Sequence, residues 1–461
     1  MLMRLASQVV KFPLDQTVNI PRRLAEYVRG DRVLFVAITK ASYVSVNAIG
    51  AEFVALFERG VTLGAALTIV KNKYGIEKEE QITKILSGLL TQIEARKFYE
   101  DAQVVDDTLK EFTMLARLTN RCNLRCAHCL VSSAPDWPTV NDLNTGRWCE
   151  ITEQYSRFAK ERGFDKARVT FTGGEALSRR DAIEILQHSK SLNIYTELFT
   201  NGVLIVNSRM AATIANAVNE VQVSFDGATA PVHDRIRGIG MFDRTVRGVR
   251  FLAETNVKYR LAITVMPQNY EDLMNNLPAL VEDLGCKFRI RLGLAVQEGR
   301  ATHDMTFKST QEGENKIQTL IQRMCDLGLR YPRSLVNNFK KMSCGYAREL
   351  TVNSDGLVFG CGPIKYPIGN LNEESFYSIA DRTIHKSKRA EIDSVEGCRD
   401  CNVRYLCGGI CRLNNKSRMG SHEISCCDLA NKERVLTKLF GYASNIVPVA
   451  MLSNNVERRN S

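Results

Sequence analysis

The sequence predicts an α/β protein with a parallel sheet in its middle, a small winged-helix unit before it and a cysteine-rich segment after it. Three observations carry this. From residue 113 onward, β-rich apolar runs alternate with amphipathic helical stretches, and strands separated by helices form parallel sheets. The first hundred residues hold short strands followed by three helical stripes. Eight of the fourteen cysteines fall between 344 and 427, in a stretch of glycines and turns with little periodicity.

Taken in order, Val33–Ile38 and Tyr43–Val46 read as short strands. Ile49, Phe53, Leu56 and Phe57 fall at helical spacing. So do Leu63, Ala66, Leu67 and Val70, and then Ile82, Ile85, Leu86, Leu89 and Ile93. The acidic stretch Asp101–Glu111 reads as a linker. Strands follow near 113–119, 168–172, 194–200, 220–225, 258–266 and 288–295, with helical segments between them such as 181–186 and 245–254. Residues 310–340 read as a bridging helix. The tail from about 428 begins helical and ends polar. The expected domains are 1–105, 106–310, 311–342, 343–430 and 431–461.

Composition narrows the class. A hydrophobic share of 44% and a charged share of 25% in 461 residues suit a soluble globular chain with a sizeable core. The N-terminus is too polar for a secretory signal, and no run approaches the ~18 apolar residues of a membrane span. These features predict a cytoplasmic protein with no membrane partner. The net charge of +11 is spread along the chain. It suits a solvated basic surface or attraction to an acidic partner such as a peptide. Clustered cysteines in a cytoplasmic chain point to metal or catalysis rather than disulfides. Cys149, Cys286 and Cys325 stand alone and read as small buried apolar residues.

The chemistry concentrates in Thr119-Asn-Arg-Cys-Asn-Leu-Arg-Cys-Ala-His-Cys-Leu130. Cys122, Cys126 and Cys129 have C-x3-C-x2-C spacing and directly follow the first strand. In parallel α/β sheets, ligands bind at that carboxyl end. Three soft thiolates can hold three corners of a [4Fe-4S] cluster and leave one iron open; a zinc site is the alternative. The second strand ends in Gly173-Gly174-Glu175, where glycines permit close backbone approach and the carboxylate can accept from an ammonium group. The fourth ends in Ser224-Phe-Asp-Gly227, followed by Val232-His-Asp-Arg-Ile-Arg-Gly238.

On these residues the chain resembles the radical S-adenosylmethionine (SAM) superfamily, whose partial (β/α)6 barrel its six strand–helix units match. The resemblance implies that the open iron chelates SAM, and that SAM is cleaved reductively to a 5′-deoxyadenosyl radical that takes hydrogen from substrate. It implies that Gly173, Gly174 and Glu175 contact the SAM amino group. Ser224 would lie at the ribose and Arg237 near the carboxylate. His128 is open as a metal ligand or as a neighbour of the adenine. An external electron donor such as flavodoxin or ferredoxin is implied.

The second cysteine group reads Cys344-x11-Gly356-x4-Cys361, Cys398-x2-Cys401-x5-Cys407-x3-Cys411 and Cys426-Cys427. It resembles the SPASM extension of radical SAM maturases, which implies two auxiliary iron–sulfur clusters. By position, Cys398, Cys401, Cys407 and Cys427 (or Cys426) would hold one, and Cys344, Cys361 and Cys411 the other. Residues 43–98 resemble the leader-recognition element of ribosomal-peptide maturases through Val46-Asn-Ala-Ile-Gly-Ala-Glu-Phe53 and Lys73-Tyr-Gly-Ile76. There a leader peptide adds a strand to the winged-helix sheet. A DNA-binding winged helix would expose more Arg and Lys than Lys71 and Lys73 on its middle helix, so no nucleic-acid partner is expected. The domain order resembles enzymes that make sulfur-to-α-carbon thioethers in a precursor peptide. Carbon–carbon or carbon–oxygen cross-linking, epimerisation, and maturation of a sulfatase or haem precursor are the alternatives.

Overall fold

A computed structural model describes residues 13–103, 105–106, 111–164, 166–285, 289–326, 339–343, 347–362, 366–389, 391–409 and helical residues between 432 and 440. Its elements run β1 Leu24–Arg29, β2 Arg32–Ala37, β3 Tyr43–Asn47, α1 Ala48–Glu58, α2 Leu63–Tyr74, α3 Glu79–Ala95 and β4 Val105–Asp106. Then come β5 Glu111–Thr119, α4 Thr145–Glu161, β6 Lys166–Gly173, α5 Ala182–Ser191, β7 Tyr195–Thr200, α6 Ser208–Ala217, β8 Glu220–Ser224, α7 Ala230–Arg237, α8 Met241–Ala253, β9 Lys258–Val265, α9 Tyr270–Asp283, β10 Arg289–Leu294 and α10 Thr310–Asp326. The last group is β11 Phe339–Lys340, β12 Glu349–Val352, β13 Leu357–Phe359, β14 Gly369–Asn370, α11 Phe376–Arg389, α12 Glu396–Arg399 and α13 Arg404–Cys407. The chain divides into two compact units: 1–108 with 333–344 and 389–461, and 109–332 with 345–388.

In the first unit β1, β2 and β3 form an antiparallel sheet in that order. Asn47 starts α1 by accepting the Gly50 N–H at 2.9 Å, an N-cap that satisfies a donor the helix cannot. One face of the sheet (Val33, Phe35, Val44, Val46) packs on Phe53, Phe57, Val70, Ile82, Leu86 and Leu89 of the three helices. The other face (Ala25, Leu34, Val36, Tyr43) packs on Val403, Val435, Leu436 and Leu439. This order, three strands then three helices, adds β1 to the expected pattern. The acidic stretch expected as a linker holds β4 and the start of β5.

In the second unit all six expected strands form, and each pairs in parallel with the next from β5 to β10. The sheet then continues past β5. β12 joins β5 in parallel, and β13 and β14 follow antiparallel, giving the order β10-β9-β8-β7-β6-β5-β12-β13-β14. Val169, Phe171, Leu198, Val221, Val223, Leu261 and Ile263 enter the main core with Trp148, Tyr155, Phe158 and Phe376. Strand side chains alternate between faces, so Arg168, Glu197, Glu220, Gln222 and Arg260 share the other face. Arg168 meets Glu197 at 2.6 Å, Arg289 meets Glu220 at 2.7 Å and Arg260 also pairs with Glu220. The inner face of the barrel is thus polar and ion-paired. Among the described residues no helix is long and apolar enough to cross a membrane.

Candidate active site

The loop after β5 is tied down along its length. The Cys122 N–H donates to Ala134 O at 3.1 Å, and Ala127 N–H to Ile236 O at 2.9 Å. Arg300 donates from its backbone to Cys129 O at 3.0 Å and from Nε to Cys126 O at 2.9 Å. Cys122 is buried with Leu124 and Val203, and Cys126 packs beside them. Asn201, at the end of β7, holds the loop from the other side, with Nδ2 2.8 Å from Asn123 Oδ1 and 3.9 Å from the Cys122 sulfur.

Burial pushes the Cys122 thiol up to about 12, against the Leu124 N–H 3.4 Å from its sulfur; the Cys126 and Cys129 thiols add to the rise. Burial also raises Cys126, with Arg237 opposing. Burial thus disfavours the thiolate at both Cys122 and Cys126, so a bound metal centre has to stabilise it. A cubane spreads its cysteines over separate irons, and the three free, mutually interacting thiols on one loop fit that arrangement.

Gly173 and Gly174 make the loop's close neighbour. A Cβ on Gly173 (φ +136°) would sit 2.1 Å from Thr119 O, and one on Gly174 2.2 Å from Arg121 O. The glycines let the β6 turn press against the backbone leading into Cys122, where Gly174 N–H donates to Thr119 O at 2.7 Å and Glu175 N–H to Arg121 O at 3.0 Å. Glu175 is buried, which raises its pKa. Its carboxylate is nevertheless met by Asn201 N–H at 2.8 Å, Thr200 Oγ1 at 2.9 Å and Leu177 N–H at 3.2 Å. Ser224 ends β8 half-buried. Arg237 ends α7, with Nη1 4.0 Å from the Cys126 sulfur.

Two residues without a role in the sequence reading stand out. Asp226, inside the Ser224–Gly227 run, is fully buried and lies between Arg237 and His128. Burial works to raise its pKa, but Arg237 and His128 outweigh it and hold the carboxyl well below the usual range. Arg117, on the inner face of β5, donates to Gly362 O at 3.0 Å and Asn353 Oδ1 at 3.2 Å. Burial lowers its pKa, while Glu349, Cys361 and Cys129 favour its charge. Arg117 thus sits between a cysteine of the first loop and one of the second group. It lines a cavity of about 350 Å³ with Asn120, Leu130, Ser132, Phe359 and Gly362.

Of the second cysteine group, Cys398 is buried beside Met342, Ile392 and Val395, Cys401 precedes α13 and Cys407 ends it. Cys344, Cys411, Cys426 and Cys427 lie outside the described residues, as do Cys286 and the side chain of Cys325.

Residues 117–277 match the radical SAM superfamily, and residues 344–402 the SPASM iron–sulfur cluster-binding domain. Mycofactocin maturase MftC of Mycolicibacterium smegmatis is 32% identical over 311 residues, covering 64% of this chain and 76% of that protein. An AdoMet-dependent heme synthase of Methanosarcina barkeri is 26% identical over 66% of this chain and 92% of its own length. The fold is similar to that of Streptococcus suis SuiB bound to precursor peptide SuiA, with a TM-score of 0.54 at 14% identity over 90% of this chain and 99% of SuiB. It is also similar to anSMEcpe with bound AdoMet, with a TM-score of 0.54 at 18% identity over 75% and 98%. The chain belongs to the radical SAM superfamily of iron–sulfur enzymes. Within it, the chain is one of the members that add a SPASM extension, so its cofactors are a [4Fe-4S] cluster with SAM and auxiliary iron–sulfur clusters.

Proposed function

We propose that this enzyme modifies a ribosomally made precursor peptide, bound through its leader by the first unit, and installs an intramolecular cross-link, with a sulfur-to-α-carbon thioether as first choice. The carrying observation is the sheet of β1–β3 with its three helices, a separate element that a radical SAM barrel does not need for its own fold. Support comes from relatives described as a mycofactocin maturase, a PqqA peptide cyclase and the subtilosin biosynthesis protein AlbA. With SAM and the cluster bound, the site supplies a carbon radical that removes hydrogen from the peptide.

The chain's residues then have distinct tasks. Cys122, Cys126 and Cys129 bind the first cluster, and Gly173, Gly174, Glu175, Ser224 and Arg237 orient SAM. Cys398, Cys401, Cys407 and Cys427 hold one auxiliary cluster, and Cys344, Cys361 and Cys411 the other. The cavity beside Arg117 takes the reacting peptide segment, because it borders both the first cysteine loop and the strand end that carries Cys361. Electrons come from an external flavodoxin- or ferredoxin-type donor in the cytoplasm. The heme synthase relatives favour a second reading, a haem-type substrate.

Anaerobic co-expression with the short precursor-like reading frame nearest the gene, followed by mass spectrometry, tests this. Loss of two hydrogens per modified site supports cross-linking, and fragmentation shows whether a cysteine is consumed. Unchanged mass that grows heavier in deuterated water means epimerisation instead. An unmodified peptide with SAM cleavage intact sinks the peptide reading.

A further inference from the structure

Asp226 lies two residues beyond β8 and has no accessible surface. Its Oδ2 is 2.7 Å from Arg237 Nε, 2.6 Å from Arg237 Nη2 and 3.1 Å from His128 Nε2. Its Oδ1 accepts the Thr264 N–H at 2.8 Å, and its carbonyl accepts Asn269 Nδ2 at 2.9 Å. One carboxylate, locked from β9 and from the residue before α9, therefore gathers two side chains from separate segments. Both flank Cys126: His128 is two residues along the loop, and Arg237 Nη1 is 4.0 Å from the sulfur. His128 Nδ1 is buried with no hydrogen-bond partner. With Nε2 engaged by Asp226, Nδ1 is the ring atom left to meet a ligand. Arg237 likewise has Nε and Nη2 engaged and Nη1 turned toward the cysteine loop.

We propose that Asp226 is a positioning residue for SAM: it fixes Arg237 and His128 as one preset pair beside Cys126, so that Arg237 receives the SAM carboxylate without reorganising. This rests on the assignment of Arg237 to that carboxylate. A long guanidinium stem otherwise loses conformational freedom on binding, and a buried guanidinium without its counter-ion is unstable. Partners one step behind a metal or ligand contact commonly change affinity or activity by ~10- to 100-fold when removed.

The test uses the full-length enzyme with reconstituted clusters under anaerobic conditions. Asp226→Asn, Arg237→Gln and the double variant are compared by SAM titration, iron content and the electron paramagnetic resonance change that SAM induces in the reduced cluster. Asp226→Asn is expected to raise the SAM Kd ~10- to 100-fold and to leave iron content at the wild-type level. The double variant is expected to bind SAM no worse than Arg237→Gln. Wild-type affinity in Asp226→Asn, or losses that multiply in the double variant, overturn the proposal. Wild-type affinity in Arg237→Gln overturns the underlying assignment instead. If Asp226→Asn alone fails to load iron, the double variant decides, because it removes both charges. Recovered iron with the affinity of Arg237→Gln supports the coupling, and continued failure overturns it.

Discussion

In the barrel unit, Cys122, Cys126 and Cys129 hang from a nine-stranded sheet by backbone bonds to Ala134, Ile236 and Arg300, and the core beneath contains no cysteine ligand. In the other unit, Cys398, Cys401 and Cys407 stand on or beside two four-residue helices, resting on small clusters around Met342, Ile392 and Val403. The first loop is held along its length by bonds to the surrounding fold. The second segment has little apolar material of its own, so its metal contributes to folding as well as to chemistry. The same ligand type thus depends on the surrounding structure in one unit and supports it in the other.

The largest effect that tests this contrast is on activity. Cys126→Ser should lower 5′-deoxyadenosine formation by on the order of 1000-fold or more, about 4 kcal/mol in barrier terms, while hydrogen exchange across β5–β10 stays at wild-type rates. Widespread loss of protection in those strands would contradict a loop held by the fold. Next comes the sheet's inner face. Glu220→Gln leaves Arg260 and Arg289 without their shared carboxylate; Arg260 keeps Glu197 and Gln222 and Arg289 is half exposed, so the expected loss is about 1–3 kcal/mol. Chemical denaturation followed in the barrel unit should show that loss.

A third test uses pH. His233 lies fully buried between Phe225 and Phe242, and burial, then Arg237, lowers its pKa from 6.5 to about 4. Between those values the unfolded chain binds a proton that the folded chain does not. Stability is therefore full above pH 6.5 and falls as pH drops toward 4, by up to about 3 kcal/mol. His233→Phe should flatten this part of the stability profile, and an unchanged slope would assign the pH dependence to another group. Smallest in extent is Cys398→Ser. It should speed hydrogen exchange within 391–409 by on the order of 100-fold, about 2.7 kcal/mol of lost linkage, and leave the barrel unit unchanged.

Much of this was legible in the chain. The six barrel strands announced themselves because apolar residues recur along each, and the cysteine run lies at the end of the first. β1 was missed because Leu24–Arg29 buries little beyond Ala25 and carries two charged residues. α11 was missed because its neighbourhood is dominated by cysteines and turns, although Phe376, Ile379, Ala380 and Thr383 are buried at helical spacing. The ion pairs of the inner face join β6 to β7 and β8 to β9 and β10, and no local pattern pairs residues that far apart. Asp226 was in view within its run. Its partners His128 and Arg237 come from either side in sequence, and only the folded βα loops bring them onto one carboxylate.

The pairing of β12 with β5 has a practical meaning for anyone dividing this gene. A fragment stopped at residue 310 would leave the free side of β5 as a bare edge, a row of unpaired amides and carbonyls open to other chains. It would also lack Leu350, Val352, Phe376 and Ile379 from the main core. The shortest stretch that closes both the sheet edge and the core runs from 111 to 388. A swap of the cysteine-rich extension between related enzymes therefore removes β12, β13 and β14 from this sheet as well, and the incoming extension has to bring a strand that pairs with β5.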